Sequence, residues 1–137
     1  MGAPRIVVVD DDLATQDLLR EILNEGGYAV ETAPGVDPSL HEIRDASPDL
    51  IVIDLLLSPD PRWLSGWDAV RLARSHADLH RLPILVISAD PGRLRSHAPE
   101  AGRMGRIELL TKPFGVDELL EVVGRLLPLP MPEDRSG

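Results

Sequence analysis

Ile6-Val7-Val8-Val9-Asp10-Asp11-Asp12 sets an unbroken apolar run against three consecutive carboxylates. A strand with one wet face alternates apolar and polar residues. A run without that alternation suits a strand buried on both faces, as in a parallel sheet. Leu50 to Ile53 and Ile84 to Ile87 repeat the pattern, and further apolar runs lie at Tyr28 to Val30 and Ile107 to Leu110. The segments between them carry helical signals. Leu18, Leu19, Ile22 and Leu23 form a stripe that Gly26-Gly27 stops. Asp37-Pro38 reads as a cap with a first-turn proline, with Leu40 and Ile43 on one face. Ser65 with Asp68 resembles a capping box ahead of Trp67 to Arg74. Pro91 to Gly102 holds Gly92 and Pro99 and little apolar periodicity, so a short or broken helix is expected. Val116, Leu119, Leu120, Val123 and Leu127 make the last stripe. Strands and helices therefore alternate. Right-handed crossovers then give a single-domain, doubly wound α/β fold with an open five-stranded parallel sheet.

The chain is one domain by length, 137 residues, and its 43% apolar content supplies a core. Residues 1–127 form that domain, and the proline-rich 128–137 reads as a tail or the start of a linker. A net charge of −9 excludes a broad footprint on a phosphate backbone, so direct nucleic-acid binding by this chain is not expected. The absence of cysteine excludes disulfides, thiol nucleophiles and thiolate metal sites. No run resembles a signal peptide or a membrane span, and the cytoplasm is the expected location.

In open parallel sheets ligands sit outside the carboxyl ends of the strands. Asp10, Asp11 and Asp12 follow the first run, Asp54 the third, Ser88 the fourth, and Lys112 lies two past the fifth. Helix capping explains one of these acids, Asp12. The remaining carboxylates repel unless protonated or neutralised, and Mg2+, an oxygen-seeking cation that keeps waters for a phosphate to replace, suits them. An aspartate beside such a cation can act as nucleophile and form an aspartyl phosphate. Lys112, the single lysine among fourteen basic residues, and Ser88 offer the charge and hydroxyl that a phosphoryl group needs.

These four stretches, Val7 to Asp12, Pro48 to Asp54, Pro83 to Ala89 and Leu110-Thr111-Lys112-Pro113-Phe114, resemble the signatures of the receiver domain of two-component response regulators. The resemblance implies a flavodoxin-like sheet in the order 2-1-3-4-5. It implies Asp54 as phosphoacceptor, and Asp10 and Asp11 as the acidic pair for Mg2+, with Asp54 and the backbone carbonyl of Leu56 as further ligands. It gives Ser88 and Lys112 the phosphoryl contacts. The partners implied are a histidine kinase or a histidine phosphotransfer protein and a downstream protein target. The domain would be no enzyme beyond self-catalysed phosphotransfer and dephosphorylation. The alternatives are a non-phosphorylated pseudo-receiver that binds proteins and, more distantly, a small aspartate-nucleophile phosphatase.

Three departures from the family stand out, one of them the irregular Pro91 to Gly102 segment. The family's proline four after the acceptor and glycine eight after are here Pro59, five after, and Gly66, twelve after, so Leu55 to Ser65 is a loop expanded by about four residues. The family's aromatic switch position holds Leu109. The response then comes from Ser88 and its following loop moving toward the phosphoryl group or from closure of the expanded loop over it, and closure is the one expected. Trp67 is expected to pack under its helix, while Trp63 either anchors the loop or presents a partner contact. His41, His76, His80 and His97 show no metal-ligand spacing and read as surface residues, as do Arg93 and Arg95.

Overall fold

Successive residues of a strand point to opposite faces, and here that alternation divides the apolar runs between two cores. The computed structural model describes residues 2–128. Its strands are β1 (Arg5–Val9), β2 (Ala29–Ala33), β3 (Leu50–Asp54), β4 (Ile84–Ser88) and β5 (Ile107–Thr111). They pair in parallel in the order β2-β1-β3-β4-β5. The helices are α1 (Leu13–Glu25), α2 (His41–Ala46), α3 (Gly66–Ser75), α4 (Pro91–Met104) and α5 (Val116–Leu126). Ile6, Val8, Leu50, Val52, Leu85 and Ile87 pack on α1 and α5. Val7, Val9, Ile51, Ile53, Ile84 and Val86 pack on α2, α3 and α4. Each such side chain contributes about 1.5–3 kcal/mol on burial, so the three central strands, buried on both faces, hold the sheet. The expected fold class and strand order are both observed. The tail, apart from Pro128, lies outside the described residues. Among the described residues no helix is long and apolar enough to cross a membrane.

Three local expectations are corrected. The second strand runs on past Val30 to Ala33 because each of its residues pairs with β1, from Arg5 with Ala29 to Val9 with Ala33. It is an edge strand with Glu31 exposed, so its apolar signal fades before its backbone pairing does. Asp37 caps no helix. Its carboxylate accepts from the backbone and hydroxyl of Ser39, and the helix starts only at His41, after Leu40 at φ 59° with no side-chain cap. Burial of the Leu40 side chain offsets that left-handed backbone.

The third correction is α4, which is one continuous 14-residue helix. Asp90 caps it by accepting from the Arg93 N–H at 3.1 Å, and Pro91 occupies the first turn, where no N–H is needed. Pro99 removes the bond to the Arg95 carbonyl, but both residues are exposed, so that carbonyl is left facing solvent rather than a dry core. Leu94 and Ala101, two turns apart, supply the buried face. Contacts with α3 do the rest. Trp67 is buried under its helix, as expected, and its Nε1 donates to Glu100 at 2.9 Å. Arg71 grips the same carboxylate with two bonds of 2.8 and 2.9 Å. His97 is not a free surface residue, since its ring stacks on Trp67 with centroids 4.3 Å apart.

The hydrogen bonds from Arg71 and Trp67 lower the Glu100 pKa from 4.5 to about 2. A depressed acid pKa adds stability that is complete above the unfolded value and is lost as pH falls through the folded one. Acid unfolding of the wild type should therefore show a stability loss between pH 4.5 and about 2 that is reduced in Glu100→Gln, as measured by denaturant midpoints across that range.

Candidate functional site

The parallel register brings the carboxyl ends of β1, β3, β4 and β5 to one edge. β1 ends at Val9, and the next N–H, that of Asp10, bonds the Ala33 carbonyl at 3.0 Å. Gln16, on the buried face of α1, donates to the Asp10 carbonyl at 2.6 Å. These bonds fix the backbone, and the Asp10 side chain is 1% exposed. Asp54 closes β3, buried, with Leu55 bonded onward to Ile87 at 2.8 Å. Across the sheet Ser88 pairs with Thr111, and the Lys112 N–H donates to the Ser88 carbonyl at 2.8 Å. The Lys112 side chain is thereby aimed back over β3.

Its ammonium reaches both buried acids. Lys112 Nζ lies 3.0 Å from Asp54 Oδ2 and 3.5 Å from Asp10 Oδ2. The other oxygen of each acid takes a backbone donor: Asp54 Oδ1 from Leu56 and Asp10 Oδ1 from Asp12, both at 2.9 Å. Burial, chiefly, and the charge of Asp54 raise the Asp10 pKa, against the Asp12 N–H and Lys112. Burial works against the Lys112 charge, but the hydrogen bond and charge of Asp54, aided by Asp10, outweigh it and raise the Lys112 pKa. Two carboxylates share one cation, so the edge keeps an excess of negative charge.

The other expected residues divide. Asp12 caps α1, accepting from the Thr15 N–H at 3.1 Å and the Thr15 hydroxyl at 2.6 Å. Ser88 is buried at the edge, and its Oγ accepts the Asp90 N–H at 3.0 Å. Leu56 is exposed beside Asp54. Asp11 turns away from Asp10 and Asp54: its Oδ2 accepts the Ser58 N–H at 3.0 Å, and the Ser58 hydroxyl, the largest cause, holds its pKa low. Among the described residues no three acidic or histidine side chains stand grouped to hold a metal ion. The ligand atoms at this edge are oxygens in negative excess, a set that suits a hard divalent cation.

The long loop packs down on its neighbours. Trp63 anchors it, with the indole so close to Gly35 that a Cβ there would lie 2.5 Å from the ring. Leu64 N–H donates to the Val36 carbonyl at 2.8 Å. Arg62 lies over the Trp63 ring and pairs with Asp60 at 2.9 Å. The loop ends against its own start, since a Cβ on Gly66 would meet the carbonyls of Asp54 and Leu55 at 2.6 and 2.7 Å. Gln16 and Ser58 were not singled out by the sequence. Gln16 shares the stripe of Leu19 and Leu23 and could have been found as a polar residue on a core face; Ser58 carries no such signal.

A family model for the response regulator receiver domain matches residues 6–124. The response regulator MprA of Mycolicibacterium vanbaalenii is 39% identical over 134 residues, 97% of this chain and 54% of the relative. The MprA of Mycobacterium avium is 40% identical over 131 residues, 95% of this chain and 54% of the relative. The chain thus spans about half the length of these curated relatives. A putative response regulator from Chloroflexus aurantiacus superposes with a TM-score of 0.77 at 26% identity, covering 92% of this chain and 98% of that one. The receiver domain of a sensor histidine kinase from Pseudomonas aeruginosa superposes with a TM-score of 0.69 at 26% identity, covering 92% and 98%, and holds a magnesium ion in its active-site cleft.

The raised pKa of Asp10 means that its ionised form costs the folded state stability at neutral pH. Asp10→Asn should therefore raise the thermal unfolding midpoint at pH 7, by roughly 3–5 °C for a gain of about 1 kcal/mol. Calorimetry at low ionic strength measures it.

Proposed function

The chain belongs to the response regulator receiver domain family, and from that premise we propose that Asp54 takes a phosphoryl group from a phosphohistidine of a histidine kinase or phosphotransfer protein. The observation that carries this reading is the placing of one ammonium 3.0 Å from Asp54 and 3.5 Å from Asp10 at the carboxyl edge of the sheet. An Asp54 carboxylate oxygen attacks phosphorus, the phosphorus–nitrogen bond of the donor breaks, and its electron pair stays with the imidazole. The Leu56 N–H fixes one carboxylate oxygen while Lys112 leaves the other to pair with the transferred phosphoryl oxygens. Ser88, anchored beside Lys112 by their backbones, donates its hydroxyl to the same group. Asp10, Asp11 and the Leu56 carbonyl would hold Mg2+, which would neutralise the charge that builds up in the transfer. A shallow apolar depression lined by Leu18, Ala89, Pro113 and Phe114 flanks Lys112 and would receive the donor. The phosphorylated domain would then alter its surface toward a downstream protein.

The second reading is a pseudo-receiver that binds a partner without phosphorylation. The turn of Asp11 toward Ser58 favours it. With Mg2+ and acetyl phosphate the wild type should gain one phosphoryl mass, and Asp54→Asn none, by intact-protein mass spectrometry. Robust labelling of the Asn variant at another site would sink the assignment to Asp54, and no labelling of the wild type would favour the pseudo-receiver.

A further inference from the structure

The arginines of this chain divide by whether a carboxylate meets them. Seven of the described ones form ion pairs. Among the described residues, Arg74, Arg81, Arg95, Arg103 and Arg106 find no such partner. All of these but Arg95 gather at the amino ends of β4 and β5, the pole opposite Asp10 and Asp54. Arg74, near the end of α3, donates to the Leu82 carbonyl at 2.6 Å and to the Gly105 and Arg106 carbonyls at 2.9 and 3.2 Å. These carbonyls lie just ahead of the two strands, and the Ile84 N–H bonds that of Arg106 at 3.0 Å. The Arg74 Nε is buried and has no partner among the described residues. Burial, chiefly, and the charge of Arg106 lower the Arg74 pKa. Arg81 adjoins Leu82, Arg103 lies in the last turn of α4, and both are exposed, as is Arg106. Glu100, the one acid within α4, is already held by Arg71 and Trp67.

We propose that this pole is a docking surface for a protein segment rich in Asp and Glu, with Arg81, Arg103 and Arg106 as its contacts. Like charges gathered without counter-ions repel, and carboxylates brought by a partner relieve that repulsion. The gathering runs against the balance of a chain whose net charge is −9. Guanidinium forks match carboxylates and phosphates alike. A nucleic-acid backbone is the poorer occupant, because three exposed arginines neutralise few phosphates while the rest of this acidic chain repels a long polyanion. A short acidic segment meets the patch alone. Arg74 is the fixed centre of the surface, since its bonds to three carbonyls hold the turns that carry Arg81 and Arg106. The surface lies at the far end of the sheet from Asp54, so a partner docked there leaves the carboxyl edge open.

A labelled oligoglutamate peptide is the probe, followed by fluorescence anisotropy at low ionic strength. The wild type should bind it, and added salt should weaken the binding. Arg103→Gln and Arg106→Gln should each weaken it about threefold, the size of an exposed ion pair, and together about tenfold. Arg62→Gln removes the same charge from an exposed arginine already paired with Asp60, far from this pole, and should leave binding unchanged. No binding by the wild type overturns the proposal, as does an equal loss in Arg62→Gln, which would mark a response to net charge alone. An oligonucleotide of matching charge that binds more tightly than the peptide overturns it in favour of a nucleic-acid face. Sedimentation that shows the wild type self-associating, and Arg106→Gln not, overturns it in favour of a second copy of the chain.

Discussion

Two carboxylates buried within reach of a single ammonium are the constraint around which this domain is arranged. Buried carboxylates this close repel each other, and Lys112 supplies one charge for the two. The lysine must therefore arrive from a third strand with its backbone fixed, which the Ser88–Lys112 bond ensures. Arginine meets the need poorly: its planar fork is larger and pairs best with one carboxylate at a time. That gives a physical reason for the one lysine in a chain that otherwise uses arginine. The remaining negative charge is what makes the edge receptive to a further cation.

The sheet was legible because its three central strands are buried on both faces, and nothing local competes with that signal. Asp12 as cap and Trp67 under α3 were legible for the same reason, since each expresses a local rule. The misses are places where tertiary contacts decide. β2 continues through Glu31 and Thr32 because β1 is there to pair with it. α4 survives Pro99 because α3 grips it through Glu100 and His97. Asp37-Pro38 looked like a helix start, but burial of Leu40 sets the turn instead. At the site, the sequence places Asp10, Asp54, Ser88 and Lys112 at the edge where they are found. It could not place Asp11, whose direction depends on a serine across an irregular loop.

Leu109 is half-buried and packs against the core shared by α2, α3 and α4. With no ring there to turn, the links between Asp54 and the helices run elsewhere. The backbone of Asp54 and Leu55 touches Gly66, and Trp67, next in the chain, is bonded and stacked to α4. The end of β3, the start of α3 and the middle of α4 thus form one contiguous set of contacts.

The contact at Gly66 has a consequence for how such a domain can change over generations. Because the loop departs at Leu55 and returns to the carbonyls of Asp54 and Leu55, its two ends meet at a fixed gate. Whatever lies between is a cassette. Lengthening a closed loop costs little, about 0.6 kcal/mol per doubling, so residues past Leu56, whose N–H holds Asp54, can be added or exchanged while Asp54 keeps its position. A glycine at the gate leaves the cassette free to change without rebuilding the strand edge beneath it.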